Sequence, residues 1–165
     1  GYNSDMTEQA PNAHLTAAIW HWDVYYQAAI ETAMTCGGAE NFVTEMGGNA
    51  YYAGLSEGFV DASTLNELVA APGTAAAMEA VRELIDSGEW DVFSGVKLNI
   101  TVDAEAGTAA VEQVDAPLMS DGYELKDGEV VEMANPEIVP AGGASVTDDV
   151  IKSGMNYNVA GVVEG

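Results

Sequence analysis

Residues 19–27 read IWHWDVYYQ, so that Trp20, His21, Trp22, Asp23, Tyr25 and Tyr26 fall within seven positions. Flat aromatic faces stack on flat ligands, and a carboxylate beside them accepts hydrogen bonds from amine or hydroxyl groups. A core has no need of such crowding in a chain with only three Trp, seven Tyr and three Phe. Trp20 and Trp22 are two apart, so at a strand end they point to the same side, where a ring can lie against them. Two other polar groups invite the same question. Asn3-Ser4-Asp5 follows what reads as a strand end, and ligands of α/β proteins sit beyond the carboxyl ends of strands. The turn Gly54-Leu55-Ser56-Glu57-Gly58 lets backbone approach a ligand closely while Ser56 and Glu57 project.

Each feature also has a plainer reading. The tryptophans serve as core at a strand-to-helix corner, Asp23 as a helix N-cap, and Asn3-Ser4-Asp5 as an Asx-turn. GLSEG is not a phosphate loop, because it lacks both the GxxxxGK[ST] pattern and a lysine. Catalysis has less support than binding. No Ser-His-Asp order and no GxSxG stands out, and 27 acidic residues make any carboxylate pair uninformative. The residues therefore read as a binding module, with no catalytic residue and no cofactor. Cys36 is the only cysteine, which excludes an intrachain disulfide and a Cys-based metal site. His14 and His21 stand seven apart and form no HExxH-like pair, so no metal is expected.

The elements that must position these residues follow from periodicity. Residues 13–20 read as a buried strand, Asp23 as the cap of a helix over 24–36, and Gly37-Gly38 as its stop. Residues 37–50 read as loop, 50–55 as a short strand, 54–58 as a tight turn, and 59–60 as extended. A short helix over 64–71 stops at Pro72. The strongest helix is expected over 73–87, with Met78, Val81, Leu84 and Ile85 on one face. Residues 91–102 are strand-like, and 103–140 suit hairpins, with Asp127-Gly128 a two-residue turn. A short helix near 148–153, opened by Thr147, and the apolar run NVAGVV complete the chain. Strands alternating with helices predict an α/β fold.

At 165 residues and 48% apolar composition, the chain can form a domain with a core and is not a disordered type. Its formal net charge of -23 repels nucleic acid and anionic membrane surfaces, since phosphate binding needs Lys and Arg and only four are present. No run of eighteen apolar residues marks a transmembrane helix. The opening GYNSDM has neither a basic nor an apolar leader region, and it reads as a strand end and turn with the strand cut away. A fragment is the expectation.

In order along the chain, GYNSDM, AP-AHLTAAIW-WDVYY, YYAGLSEGFVD and the helix ending SGEWDVFSG resemble the basic membrane protein family. These are extracytoplasmic substrate-binding lipoproteins of ABC transporters, of the purine nucleoside receptor kind. The likeness runs through residues 1–97 and resumes at DGYELKDGEVV, IVPAGGASVTDDVIKSGM and NVAGVVEG. Residues 98–120 resemble nothing in the family and read as an insertion. The resemblance implies a two-lobed, periplasmic-binding-protein-like fold (type I), each lobe a Rossmann-like α/β sandwich, with the ligand in the cleft between lobes. On that basis residues 1–165 answer to the C-terminal portion, and about 20–40 cross to an N-terminal lobe that this chain lacks. Gly1 is then an artificial start. The signal peptide and lipid-bearing cysteine are absent as well, so the membrane is met only through an anchor outside this chain. The implied partners are a purine nucleoside or purine base and the permease and ATPase of the importer. Nucleic acid is not among them.

Residue by residue, Asn3 sits where nucleoside-binding relatives carry an acid that contacts the ribose. Asp23 falls where they have another ligand-contacting acid, within a similar Asp-Val-x-x-Tyr stretch. A second branch, linked to free bases, reads Trp-Asn-Trp-Gly-Pro-Tyr-Tyr here. The tryptophans and tyrosines match that branch, but His21, Asp23 and Val24 do not. Ser56 replaces the family lysine in the glycine-flanked turn, which removes a ribose-directed donor. The chain is a hybrid, and nucleoside and base stay open as alternatives. The implied ligand-binding set is Asn3, Asp5, Trp20, Trp22, Asp23, Gly54 and Ser56. Two other functions are set beside import: a ligand-sensing domain of the same fold, and a purine nucleoside hydrolase using Asp5 or Asp23. With the N-terminal lobe missing, the helix over 24–36 should expose Val24, Ile30 and Met34. A dimer, a swapped arrangement or a splayed helix is the expected result.

Overall fold

Ser63 and Asn66 are polar, yet both are buried, because each closes a bond between segments about fifty residues apart. The Ser63 hydroxyl accepts from Ala17 N at 3.0 Å, while Ser63 N donates to Ala17 O at 2.8 Å. Asn66 donates its side-chain amide to Pro11 O at 2.7 Å and to His14 O at 2.9 Å. A buried polar side chain is stable only when paired in this way. The computed structural model describes residues 3–162. The first two residues of GYNSDM and the last three of NVAGVVEG lie outside the described residues.

The chain divides into two compact units. One takes the described residues up to Met78 together with Asp103–Gly107; the other takes Glu79–Val102 and the described residues from Thr108. In the first, β1 (Ala18–Trp20) pairs antiparallel with β2 (Val60–Ala62), Trp20 standing opposite Val60. The strand expected over 13–20 shrinks to these three residues. Turn bonds to Ala10 O take the Ala13 and His14 N–H groups, and the Ser63 hydroxyl takes the Ala17 N–H that a longer backbone ladder would use. Helix α1 spans Trp22–Thr35 and begins earlier than the spacing predicted. His21 occupies the N-cap position without a side-chain cap, and Val24 N donates to His21 O at 3.1 Å. Asp23 is therefore not the cap but a first-turn residue, where a carboxylate still complements the helix dipole.

A short helix, α2 (Phe42–Glu45), interrupts the segment expected to be loop. Residues 50–55 form no strand, and 64–71 make only a turn. There Val69 N and Ala70 N both reach Asn66 O, but the Asn66 side chain captures Leu68 N at 3.2 Å and competes with helix propagation. Helix α3 runs over Thr74–Asp86, close to the expected 73–87; Met78, Val81 and Leu84 are half-buried and Ile85 is exposed.

In the second unit β3 (Val96–Asp103) and β4 (Thr108–Asp115) pair with each other. The link over 104–107 is too short for a parallel crossover, so the pair is a hairpin. Ala116 N donates to Gly95 O at 3.0 Å, which brings the two ends of this hairpin together. The segment read as an insertion over 98–120 thus divides. Most of it belongs to the hairpin, whereas Leu118 and Ser120 are buried in the neighbouring strand. That strand, β5 (Leu118–Lys126), is central. It pairs antiparallel with β6 (Glu129–Glu132), β7 (Glu137–Val139) and β8 (Tyr157–Val159). Asp127 and Gly128, at φ 54 and 84, make the predicted two-residue turn between β5 and β6. A π-helical turn, Val150–Gly154, covers most of the helix expected near 148–153.

Mixed α and β content is as predicted. The described strand pairs are antiparallel and lie in small sheets, in contrast to the parallel, helix-covered sheet of a Rossmann-like lobe.

Candidate functional site: an aromatic face beside a clamped loop

The pairing of β1 with β2 sets the site. Opposing Trp20 to Val60 places Phe59 at the start of α1, and His21 N donates to Phe59 O at 2.8 Å. Phe59 is buried against both tryptophans, its ring centroid 5.2 Å from Trp20 and 5.6 Å from Trp22. The tryptophans stack on each other at 5.9 Å and 25°. Tyr25 meets Trp22 at 6.2 Å and Tyr51 at 5.3 Å, and Tyr51 returns to Phe59 at 5.2 Å. Edge-to-face contacts at these distances suit aromatic quadrupoles. The cluster has a closed inner side around Phe59 and an open outer side: Trp20 is 37% exposed and Trp22 52%.

One polar side chain touches this face directly, and others lie on the same segments. The indole N–H of Trp20 donates to Asn3 Oδ1, so two of the predicted site residues are in direct contact. Asn3 sits at φ 61, a left-handed conformation that Asn tolerates. Asp23 is exposed in the first turn of α1 and has no hydrogen-bond partner among the described residues. His21 Nε2 stands 3.8 Å from Asp61 Oδ2. In the loop before β2, Glu57 Oε2 accepts from Gly54 N at 2.7 Å and from the Ser56 hydroxyl at 3.0 Å. The Gly54 N–H first, and then the Ser56 hydroxyl, hold the Glu57 carboxyl below its usual range. Gly54 and Ser56 are thus both engaged by Glu57, which folds back on its own loop instead of projecting from it.

Asp5 falls to the plainer reading. Its Oδ1 accepts from Thr7 Oγ1 at 2.6 Å and from Thr7 N at 2.8 Å, an Asx-turn with a hydroxyl added. His14 Nε2, buried, lies 3.2 Å from the same oxygen but without hydrogen-bond alignment. The Thr7 hydroxyl and then the Thr7 N–H hold Asp5 below the usual carboxylate range, against an opposing effect of desolvation that exceeds the further lowering from His14. These contacts make Asp5 a turn residue.

A hollow of about 200 Å³ adjoins the cluster, lined by Tyr25, Phe42, Val43, Met46 and Tyr51 among others. Small-molecule sites usually occupy about 300–1,000 Å³, so this hollow alone does not enclose a purine. The second unit has a larger groove, about 600 Å³, along β5 and β8, but none of the predicted site residues line it. Among the described residues no group of three or more His, Cys, Asp or Glu side chains is gathered to hold a metal ion.

Phe59 and Tyr51 are the members that sequence reasoning missed. Both lie in YYAGLSEGFVD, so their segment was selected, but its spacing does not reveal that Phe59 packs against residues some forty positions upstream. No family model matches the chain, and no curated protein matches it.

Proposed function

We propose that the protein is the solute-binding component of an extracytoplasmic ABC importer of the basic membrane protein kind, binding a purine nucleoside or purine base. The observation that carries this reading is the open outer side of the Trp20–Trp22 stack, with Asn3 bonded at its edge. Aromatic faces bind flat bases by stacking, and polar neighbours fix their orientation. The face is open and the adjoining hollow small. This suits one wall of a cleft that closes on its ligand from a second, periplasmic-binding-protein-like lobe. Transport requires no chemistry on the ligand, so the protein is read as a binder and not as an enzyme. The hydrolase alternative is weakened at Asp5, because a carboxylate already accepting two bonds from Thr7 is a poor base.

Isothermal titration of the chain against adenosine, inosine, guanine and adenine, with sugars and amino acids as controls, tests the reading. Purines should bind and the controls should not. Tight binding of an amino acid with none of any purine would overturn it, and release of free base from inosine would favour the hydrolase.

A further inference from the structure

The groove along β5 and β8 has a volume of about 600 Å³, which falls within the usual range for small-molecule sites. Strand register sets its apolar side. Leu125 stands opposite Val130 of β6, and Tyr123 precedes Leu125 by two residues, so the three share one face of the β5–β6 pair. All three line the groove, and each is more than half exposed. Toward β8 the lining is polar. Asn158 Nδ2 donates to Asp121 Oδ2 at 3.3 Å, and Asn156 Nδ2 donates to Glu124 Oε2 at 3.2 Å. The Tyr123 N–H adds a bond to Asp121 Oδ1 at 3.0 Å. These donors are neutral, so they orient the two carboxylates and leave both negative charges in place. No Lys or Arg lines the groove.

We infer that this groove is a second binding site, whose ligand is an aliphatic diamine with its ammonium groups on Asp121 and Glu124. Its methylene chain lies on Tyr123, Leu125 and Val130, where it gains apolar cover, and the tyrosine face attracts a cation. Three residues of extended strand span at most about 10 Å, a distance that a diamine of a few methylenes covers. A monoamine leaves one carboxylate without a counter-charge. A hard divalent metal ion takes about six or more oxygen ligands. Among the described residues no group of three or more His, Cys, Asp or Glu side chains is gathered to supply them. Anions are repelled by the same two carboxylates. This inference stands on the second unit alone and does not depend on the purine reading.

The test is isothermal titration of the chain, at an ionic strength of about 0.01 M, with 1,5-diaminopentane, 1,3-diaminopropane, n-pentylamine and calcium chloride. The longer diamine should bind most tightly, because pentylamine lacks the second charge and diaminopropane lacks apolar chain. Asp121→Asn and Glu124→Gln keep the shape of each side chain, and each should weaken the longer diamine roughly two- to fivefold, the range for an exposed ion pair. Glu8→Gln with Glu67→Gln removes the same kind of charge from the first unit and should leave its affinity unchanged. The comparison of amines on the unaltered chain stands even where a variant fails to fold. Pentylamine binding as tightly as the diamine, or calcium displacing it, overturns the inference. So does equal weakening by the Glu8 and Glu67 changes, unchanged affinity in both folded groove variants, or no binding of any amine.

Discussion

Trp20 and Trp22 look equivalent in the sequence, but their surroundings are not. Both pack against Phe59, but Trp20 belongs to β1 and donates to Asn3, whereas Trp22 opens α1 with about half its surface free. Trp22→Ala should therefore weaken purine binding by roughly 1–3 kcal/mol, the range for stacking of a base on an aromatic side chain. Trp20→Ala should instead lower the unfolding midpoint, and calorimetry with thermal melts of both variants separates the two effects. A loss of stability in both, with unchanged affinity in Trp22→Ala, would make the pair a core feature. The two depressed carboxylates, Asp5 and Glu57, give a pH dependence of definite sign. A carboxyl whose folded pKa is lowered stabilises fully above its ordinary value near about 4, and that contribution is lost as pH falls through the folded value. Acid below about pH 4 should thus loosen the 5–7 turn and the 54–58 loop. Thr7→Val removes the largest cause at Asp5 while keeping the N–H, so carbon-detected titration should show its pKa rise.

At the scale of elements, the two segments 91–95 and 140–146 meet in a close junction of the second unit. Gly142 N donates to Gly95 O at 2.7 Å, Gly95 N to Gly143 O at 3.0 Å, and the Ser145 hydroxyl to Asp91 Oδ1 at 2.7 Å. A Cβ on Gly95 would lie 1.9 Å from Pro140 O and 2.7 Å from Gly143 N, both backbone atoms. Gly95→Ala should accordingly destabilise by about 1–3 kcal/mol, the usual effect of overpacking, read as a lower denaturant midpoint. An unchanged midpoint would mean that the junction is looser than drawn. Helix α1 illustrates the opposite condition. It has no buried residue, and Trp22, Tyr26, Ile30 and Met34, at steps of four, form an exposed apolar stripe. Ile30 is 61% and Met34 81% exposed, which agrees with the exposure expected of them; Val24 is half-buried.

For the whole molecule the exposed apolar side chains are informative. Among the described residues Ile30, Met34, Leu68 and Val130 are each more than half exposed. Apolar surface left uncovered to this extent favours association, and the charge of -23 opposes it. Self-association should therefore strengthen as salt rises from about 0.01 M to about 0.15 M and screens the repulsion. Ile30→Gln with Met34→Gln, which leave the charge unchanged, should reduce it while shifting stability by no more than about 0.5 kcal/mol. Sedimentation velocity across the salt series checks both; a compact monomer under every condition would contradict the expectation.

The sequence by itself determined what is local. Helix α3, the Asp127-Gly128 turn and the Asx-turn at Asp5 each depend on residues within a few positions of one another, and periodicity or turn chemistry reads such features directly. It also singled out the aromatic stretch, since composition alone makes that crowding conspicuous. Tertiary structure decided what depends on distant partners. The strand over 13–20 was cut to three residues, the Asp23 cap passed to His21, and the helix over 64–71 was reduced to a turn by the Asn66 side chain. The placement of Phe59 against Trp20 and Trp22 is of the same kind, because it follows from the register that sets Trp20 opposite Val60. Strand register across forty residues is settled by which side chains become buried together, and no local pattern encodes that choice.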